Sequence, residues 1–164
     1  MRARSPVRLL LGLLLFLLAP GCGRQPQVTI PDDAMAPTLR KGEVAVYDPA
    51  AYRVNTPEQK DIVVFEEKGE LRVLRAIGLQ FQKLAIEDGT VKINDEPLPE
   101  PYLDEASKTD FGEITVPEGR VFLLGDNRGK SLDSRDSSPI PLTRLRGKVL
   151  SRLDPETGKG EPVS

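Results

Sequence analysis

The sequence has no histidine and no tryptophan, a single cysteine, and no surplus of basic side chains. Without histidine, Ser-His-Asp triads and most zinc hydrolase sites are excluded. One cysteine, Cys22, can form neither an internal disulfide nor a metal cluster. The formal net charge is -2. Residues 1–21 hold Arg2, Arg4 and Arg8 and no acid, so the remainder carries 20 basic against 25 acidic residues, a net of -5. A nucleic-acid partner would need a basic face, so none is expected, and neither is a metal or other cofactor. Long uninterrupted segments are scarce too. Fifteen prolines and fourteen glycines punctuate the chain too often for long helices, and no repeat is visible.

What remains is enough polymer for one folded domain. At 164 residues the chain can bury a single core, and its 38% apolar and 29% charged residues suit a packed domain.

The one long apolar run lies at the N-terminus. After the three arginines comes Leu9-Leu10-Leu11-Gly12-Leu13-Leu14-Leu15-Phe16-Leu17-Leu18-Ala19, eleven residues long. At about 1.5 Å per residue it reaches roughly half way across a hydrocarbon core of about 30 Å. Length and flanks therefore fit a secretory signal peptide over residues 1–21. Ala19-Pro20-Gly21-Cys22 resembles a bacterial lipobox, which makes Cys22 a candidate for diacylation and for the mature N-terminus. An uncleaved membrane anchor is the alternative. Both readings place the domain outside the cytoplasm, in the periplasm or on the outer face, held to membrane lipid by its N-terminus.

Residues 22–27 form a polar tether. Beyond it, short β-branched runs alternate with turn residues, and strands are expected at 44–47, 62–65, 71–77, 83–86, 91–93, 114–116, 120–124 and 148–153. Asp88-Gly89 reads as a tight hairpin turn, with further turns at Lys68-Gly69 and Pro117-Glu118-Gly119. The class is mainly β, with one helical turn expected near 49–52 and a disordered tail over 154–164.

Four segments in order carry a family resemblance that covers nearly all of 28–153. The first is Ile30-Pro31-Asp32-Asp33-Ala34-Met35-Ala36-Pro37-Thr38-Leu39 with Lys41-Gly42-Glu43. The second is Asp61-Ile62-Val63-Val64-Phe65. The third runs Leu71-Arg72-Val73-Leu74-Arg75-Ala76-Ile77-Gly78-Leu79 and continues into Ile86-Glu87-Asp88-Gly89 and Ile93-Asn94-Asp95-Glu96-Pro97-Leu98-Pro99-Glu100-Pro101-Tyr102-Leu103. The fourth joins Val116-Pro117-Glu118-Gly119 to Gly125-Asp126-Asn127-Arg128-Gly129-Lys130-Ser131-Leu132-Asp133-Ser134-Arg135 and is very specific. Together they resemble the bacterial type I signal peptidase family, peptidase family S26. The resemblance implies a single domain of coiled antiparallel β-sheets.

It also implies an activity, cleavage of signal peptides from exported preproteins by a serine nucleophile and a lysine base. A serine hydroxyl needs a neighbouring base, and a buried lysine can supply one because desolvation lowers its pKa. Carried over by position, the serine falls on Ala34 and the lysine on Leu74. Neither has the required heteroatom. A guanidinium keeps its proton, so the neighbouring Arg72 and Arg75 cannot replace the base. Asp32 stands where the family often has a serine that stabilises the oxyanion, and a carboxylate would repel that charge. The rest of the former site is expected to be a buttress. By resemblance Asp126 pairs with Arg75 and Asp133 with Arg135, with Met35 and Arg128 alongside. Ser131 stands where the family's serine meets the catalytic lysine.

Two readings of function follow. The first is a non-catalytic relative that binds extended peptides or exported proteins by strand addition, or acts as a scaffold. The second is an active signal peptidase-type serine endopeptidase, for which Thr38 and Lys41 are the nearest alternative hydroxyl and amine. Self-cleaving repressors are a related group, but their N-terminal DNA-binding module is replaced here by the apolar export signal. The lipobox reading predicts that mass spectrometry of the membrane-extracted protein finds Cys22 as an acylated N-terminus. Recovery of intact 1–21 would favour the uncleaved anchor.

Overall fold

The computed structural model describes residues 25–104 and 109–163. The expected signal peptide, Cys22 and residues 22–24 of the tether lie outside this range. Among the described residues, no helix is long and apolar enough to cross a membrane.

These residues form two antiparallel sheets. The larger contains β1 (Gln27–Thr29), β2 (Val44–Asp48), β3 (Ile62–Glu67), β4 (Glu70–Gly78), β9 (Arg120–Leu124), β10 (Ile140–Pro141), β11 (Leu145–Leu153) and β12 (Gly160–Pro162). Its order is β1-β2-β11-β3-β4-β9-β10, with β12 paired to β11. The smaller is ordered β7-β6-β5-β8 and contains β5 (Lys83–Glu87), β6 (Thr90–Ile93), β7 (Glu96–Pro97) and β8 (Phe111–Thr115). Each of the eight expected runs lies within or overlaps one of these strands, as β-branched alternation requires. The short β1, β7, β10 and β12 carry too few residues for a period to register.

Tight turns set the hairpin registers. Asp88 and Gly89 have φ of 48° and 76°, Lys68 and Gly69 of 52° and 86°, and Asn94 and Asp95 of 52° and 70°. Positive φ at both central residues matches the right-handed twist of the flanking strands. The Asn94-Asp95 turn, between Ile93 and Glu96, was not among the expected ones.

β9 joins the two halves of the molecule. Successive side chains of a strand point to opposite faces. Val121 and Leu123 therefore enter the core of the large sheet with Val63, Phe65 and Leu39. Phe122 and Leu124 enter a second core with Leu84, Ile86 and Val91 of the small sheet. The Phe122 ring lies 5.2 Å from that of Phe111, tilted by 58°, the offset geometry that aromatic quadrupoles favour.

Two expectations are corrected here. Residues 49–54 form hydrogen-bonded turns, with the Arg53 amide donating to the Ala50 carbonyl at 3.1 Å, and the 3-10 turn lies elsewhere, at Leu142–Arg144. The tail is not disordered over 154–164: Gly160–Pro162 pairs with Ser151–Leu153 as β12. An Asp154 turn closes this hairpin. The Asp154 carboxylate accepts from the Thr157 hydroxyl at 2.7 Å and the Thr157 amide at 2.6 Å. These bonds hold its carboxyl below the ordinary value. The turn therefore has this support at neutral pH and loses it as pH falls through the lowered pKa.

β11 bends where it passes from β3 to β2, and Gly147 makes this possible. A Cβ there would stand 2.3 Å from the Asp48 carbonyl oxygen and 2.7 Å from Tyr47 Cδ2. Backbone cannot yield cheaply, so Gly147→Ala is expected to destabilise the domain by about 1–3 kcal/mol. Thermal unfolding followed by circular dichroism should show a clear drop in melting temperature.

Candidate functional site

The loop between β1 and β2 brings Ala34 to the large core. Its turn is fixed by the Asp32 carboxylate, which accepts from the Ala34 amide at 2.9 Å, a short-range Asx arrangement. The Leu39 amide donates to the Met35 carbonyl at 2.9 Å. Ala34 is 4% exposed, Met35 1% and Leu39 0%. The Ala36–Pro37 peptide is cis.

From the other direction, β4 delivers Leu74, which is 1% exposed and packs in the same cluster as Ala34. The loop after β9 closes the site. Asn127 donates its amide to the Ala34 carbonyl at 2.9 Å. A Cβ on Gly125 would come within 2.4 Å of that carbonyl and 2.3 Å of Ser131 Oγ. Only glycine lets the two loops approach so closely.

Beside this apolar floor stands a buried ion pair. Arg75 Nε and Nη2 donate to Asp126 Oδ1 and Oδ2 at 2.8 and 2.7 Å, a two-pronged fork with both side chains almost wholly buried. The Thr38 hydroxyl donates to Asp126 Oδ2 at 2.5 Å. Arg75 Nη1 donates to the Lys60 carbonyl at 3.1 Å, and its guanidinium lies 3.8 Å from the centre of the Tyr102 ring, a cation–π contact. The Tyr102 hydroxyl donates to Glu100 at 2.6 Å. Burial, then Glu100, pushes that phenol well above the ordinary tyrosine value, so it stays protonated.

A second set of charges braces the fourth segment. Arg128 pairs with Glu100 and donates from Nε to the Gly125 carbonyl at 3.1 Å. Asp133 takes Arg135 Nε and Nη2 on its two oxygens, each at 2.9 Å, and accepts from the Gly125 amide at 3.1 Å. Among the described residues, one buried side-chain polar atom has no hydrogen-bond partner. It is Ser131 Oγ.

The structure thus gathers Ala34, Met35, Leu74, Arg75, Asp126, Arg128, Ser131, Asp133 and Arg135 around the middle of β4 and the C-terminal end of β9. Asp32 sits at the rim, half exposed and 4.0 Å from Arg72 Nη2. Sequence reasoning gave no role to Glu100, Tyr102 or Asn127. The first two lie in the proline-rich stretch, where a rigid extended backbone carrying one acid and one aromatic was the available signal. Asn127 acts through its main chain and left none. No group of three His, Cys, Asp or Glu among the described residues is placed to hold a metal ion.

Two substitutions separate a charge that is needed from a hydroxyl that is not. Asp126→Ala strands Arg75 in the interior and should cost about 3–5 kcal/mol. Ser131→Ala removes an unsatisfied buried group and should leave stability unchanged or raised. Chemical denaturation of both variants measures this.

Comparison with known proteins places the chain in a family. Residues 5–153 match the family model for signal peptidase, peptidase S26. A probable signal peptidase I-1 of Synechocystis is 31% identical over 93% of this chain and 83% of its own length. The signal peptidase I of Bacillus licheniformis is 40% identical over 63% of this chain and 62% of its own. The crystal structure of a signal peptidase I from Enterococcus faecalis superposes with a TM-score of 0.53 at 31% identity, covering 58% of this chain and 97% of that one. The mainly β fold is that of this structure, and the chain belongs to the signal peptidase family, peptidase S26.

Proposed function

We propose that this chain is a non-catalytic, membrane-anchored member of its family that binds extended peptides on the extracytoplasmic side. The observation that carries the loss of catalysis is Ser131. Its hydroxyl is buried without a hydrogen-bond partner, against the loop that holds Ala34. A buried orphan hydroxyl destabilises a fold, and it is accounted for if the partner was a lysine that Leu74 has replaced.

The surrounding chemistry supports the same reading. Ala34 offers no nucleophile and Leu74 no base. The Ala34 amide, a natural donor to an oxyanion, is taken by the Asp32 carboxylate. The alternative pair gains nothing: Thr38 donates its hydroxyl to Asp126, and Lys41 stands exposed at the surface.

A place for peptide remains. β4 pairs with β3 along Glu70–Arg75 but with β9 only from Arg75 onward. Its Glu70–Leu74 half therefore has an open edge beside Ala34, where an extended segment can add as a further strand. The activity in the names of the relatives, signal-peptide cleavage, is the competing reading.

Cleavage of a fluorogenic signal-peptide substrate by the full chain in detergent tests this. Wild type is expected to be inactive, since loss of a nucleophile or base costs on the order of a millionfold. Ala34→Ser alone should give little, for want of a base. Ala34→Ser with Leu74→Lys should recover measurable turnover, with Ser131 available to the new amine. Wild-type turnover that survives repurification and resists changes at 34 and 74 would overturn the proposal.

A further inference from the structure

The segment after Asp154 pairs with β11 off the main path of the large sheet, and its contacts are specific. β12 pairs antiparallel with β11 through Ser151↔Pro162, Arg152↔Glu161 and Leu153↔Gly160. It continues the row of β3, whose pairing with β11 ends at Lys148. Arg152 Nη2 holds Glu161 at 2.7 Å, and its Nη1 reaches Glu43 at 3.5 Å. Val163 packs against the main core.

This docking is shallow. All three β12 residues are exposed, and the ladder is three pairs long. Two cavities flank the seat of Val163. One, of about 380 Å³, is bounded by Lys60, Asp61, Arg75, Tyr102 and Lys148. The other, of about 260 Å³, is bounded by Pro37, Thr38, Tyr102 and Arg152. Val163 and Tyr102 line both. Both are open to solvent, and a larger apolar side chain at the position of Val163 would bury more surface against the Tyr102 ring and Pro37.

We propose that the β11 edge at Ser151–Leu153 is a second peptide-binding groove, filled in cis by residues 160–163. It would accept in trans an extended segment with an acid opposite Arg152 and a bulky aliphatic residue two positions later. The chain's own segment is the template for this chemistry. Main-chain pairing gives affinity, the Arg152 charge selects an acid, and the cavities beside Tyr102 select the apolar side chain. Proline is tolerated at Pro162 because an edge strand has one unpaired side. The tether makes the segment a competitor at high effective concentration, so a partner enters when its side chain fills the site better than Val163.

The test uses the full chain in detergent and a fluorescent peptide of sequence 154–164, with a second peptide carrying Val163→Leu. Glu161→Arg with Val163→Glu in the protein should release the strap. Hydrogen exchange at the Arg152 and Asp154 amides, the latter donating to the Lys159 carbonyl at 2.9 Å, should then quicken, and the peptide should bind about tenfold tighter or better than it does to wild type. The Val163→Leu peptide should bind more tightly still and, in excess, displace the strap of the wild-type protein. Adding Arg152→Glu to the released protein should abolish binding, and a Glu161→Arg peptide should restore it. The wild-type displacement arm stands even if the released variant folds poorly. The proposal falls if the released protein binds neither peptide, if exchange at Arg152 and Asp154 does not respond to the strap, or if excess Val163→Leu peptide leaves the wild-type strap in place.

Discussion

The fork between Arg75 and Asp126 is the constraint around which the rest of the site is arranged. Arg75 stands where β4 pairs with both β3 and β9, opposite Ile62 and Leu124, and Asp126 follows β9 by two residues. Their two hydrogen bonds therefore lock the middle of the large sheet to the loop that closes the site. Thr38 ties in the first loop, the Lys60 carbonyl the start of β3, and the Tyr102 ring the stretch that leads out of the small sheet. Desolvating two charges is expensive, and such a pair is tolerable only when its remaining lone pairs and protons are satisfied. Here five segments of chain share that task.

That arrangement keeps the shape of the site without any polar group at positions 34 and 74. Ala34 and Leu74 are both apolar and lie in a close-packed cluster, so neither leaves a stranded charge. The buttress of Asp126, Arg128, Asp133 and Arg135 depends on its own pairings and not on the side chains at 34 and 74. Ser131 is the exception. Its hydroxyl lies beside Gly125, as the Ala34 carbonyl does, and among the described buried side-chain polar atoms it is the one without a hydrogen-bond partner.

The two open edges differ in kind. The free half of β4 includes Leu74 and follows from the sheet order, because β9 begins to pair only at Arg75. The β11 edge is covered by the chain itself, through three residues and one cross-strand ion pair. Exposed strand edges invite other chains to pair. One edge is covered by a short strand and the other has no strand beside it.

Much of this was legible in the sequence for physical reasons. Strands with β-branched alternation announced themselves because a half-buried strand must alternate, and Asp88-Gly89 announced its turn because positive φ restricts the residue types. The identities at 34 and 74 were enough to raise the question of catalysis, since reactivity resides in side-chain heteroatoms that are present or absent. Tertiary structure decided the rest. β12 carries no apolar period, and its strand state comes from pairing with β11 and from Arg152, both remote from any local propensity. Glu100 and Tyr102 acquired roles only when folding set them against Arg128 and Arg75, 28 and 27 positions away in the chain. The orphan state of Ser131 is likewise a property of packing: a hydroxyl's partners are set by what surrounds it, and no run of neighbouring residues specifies that.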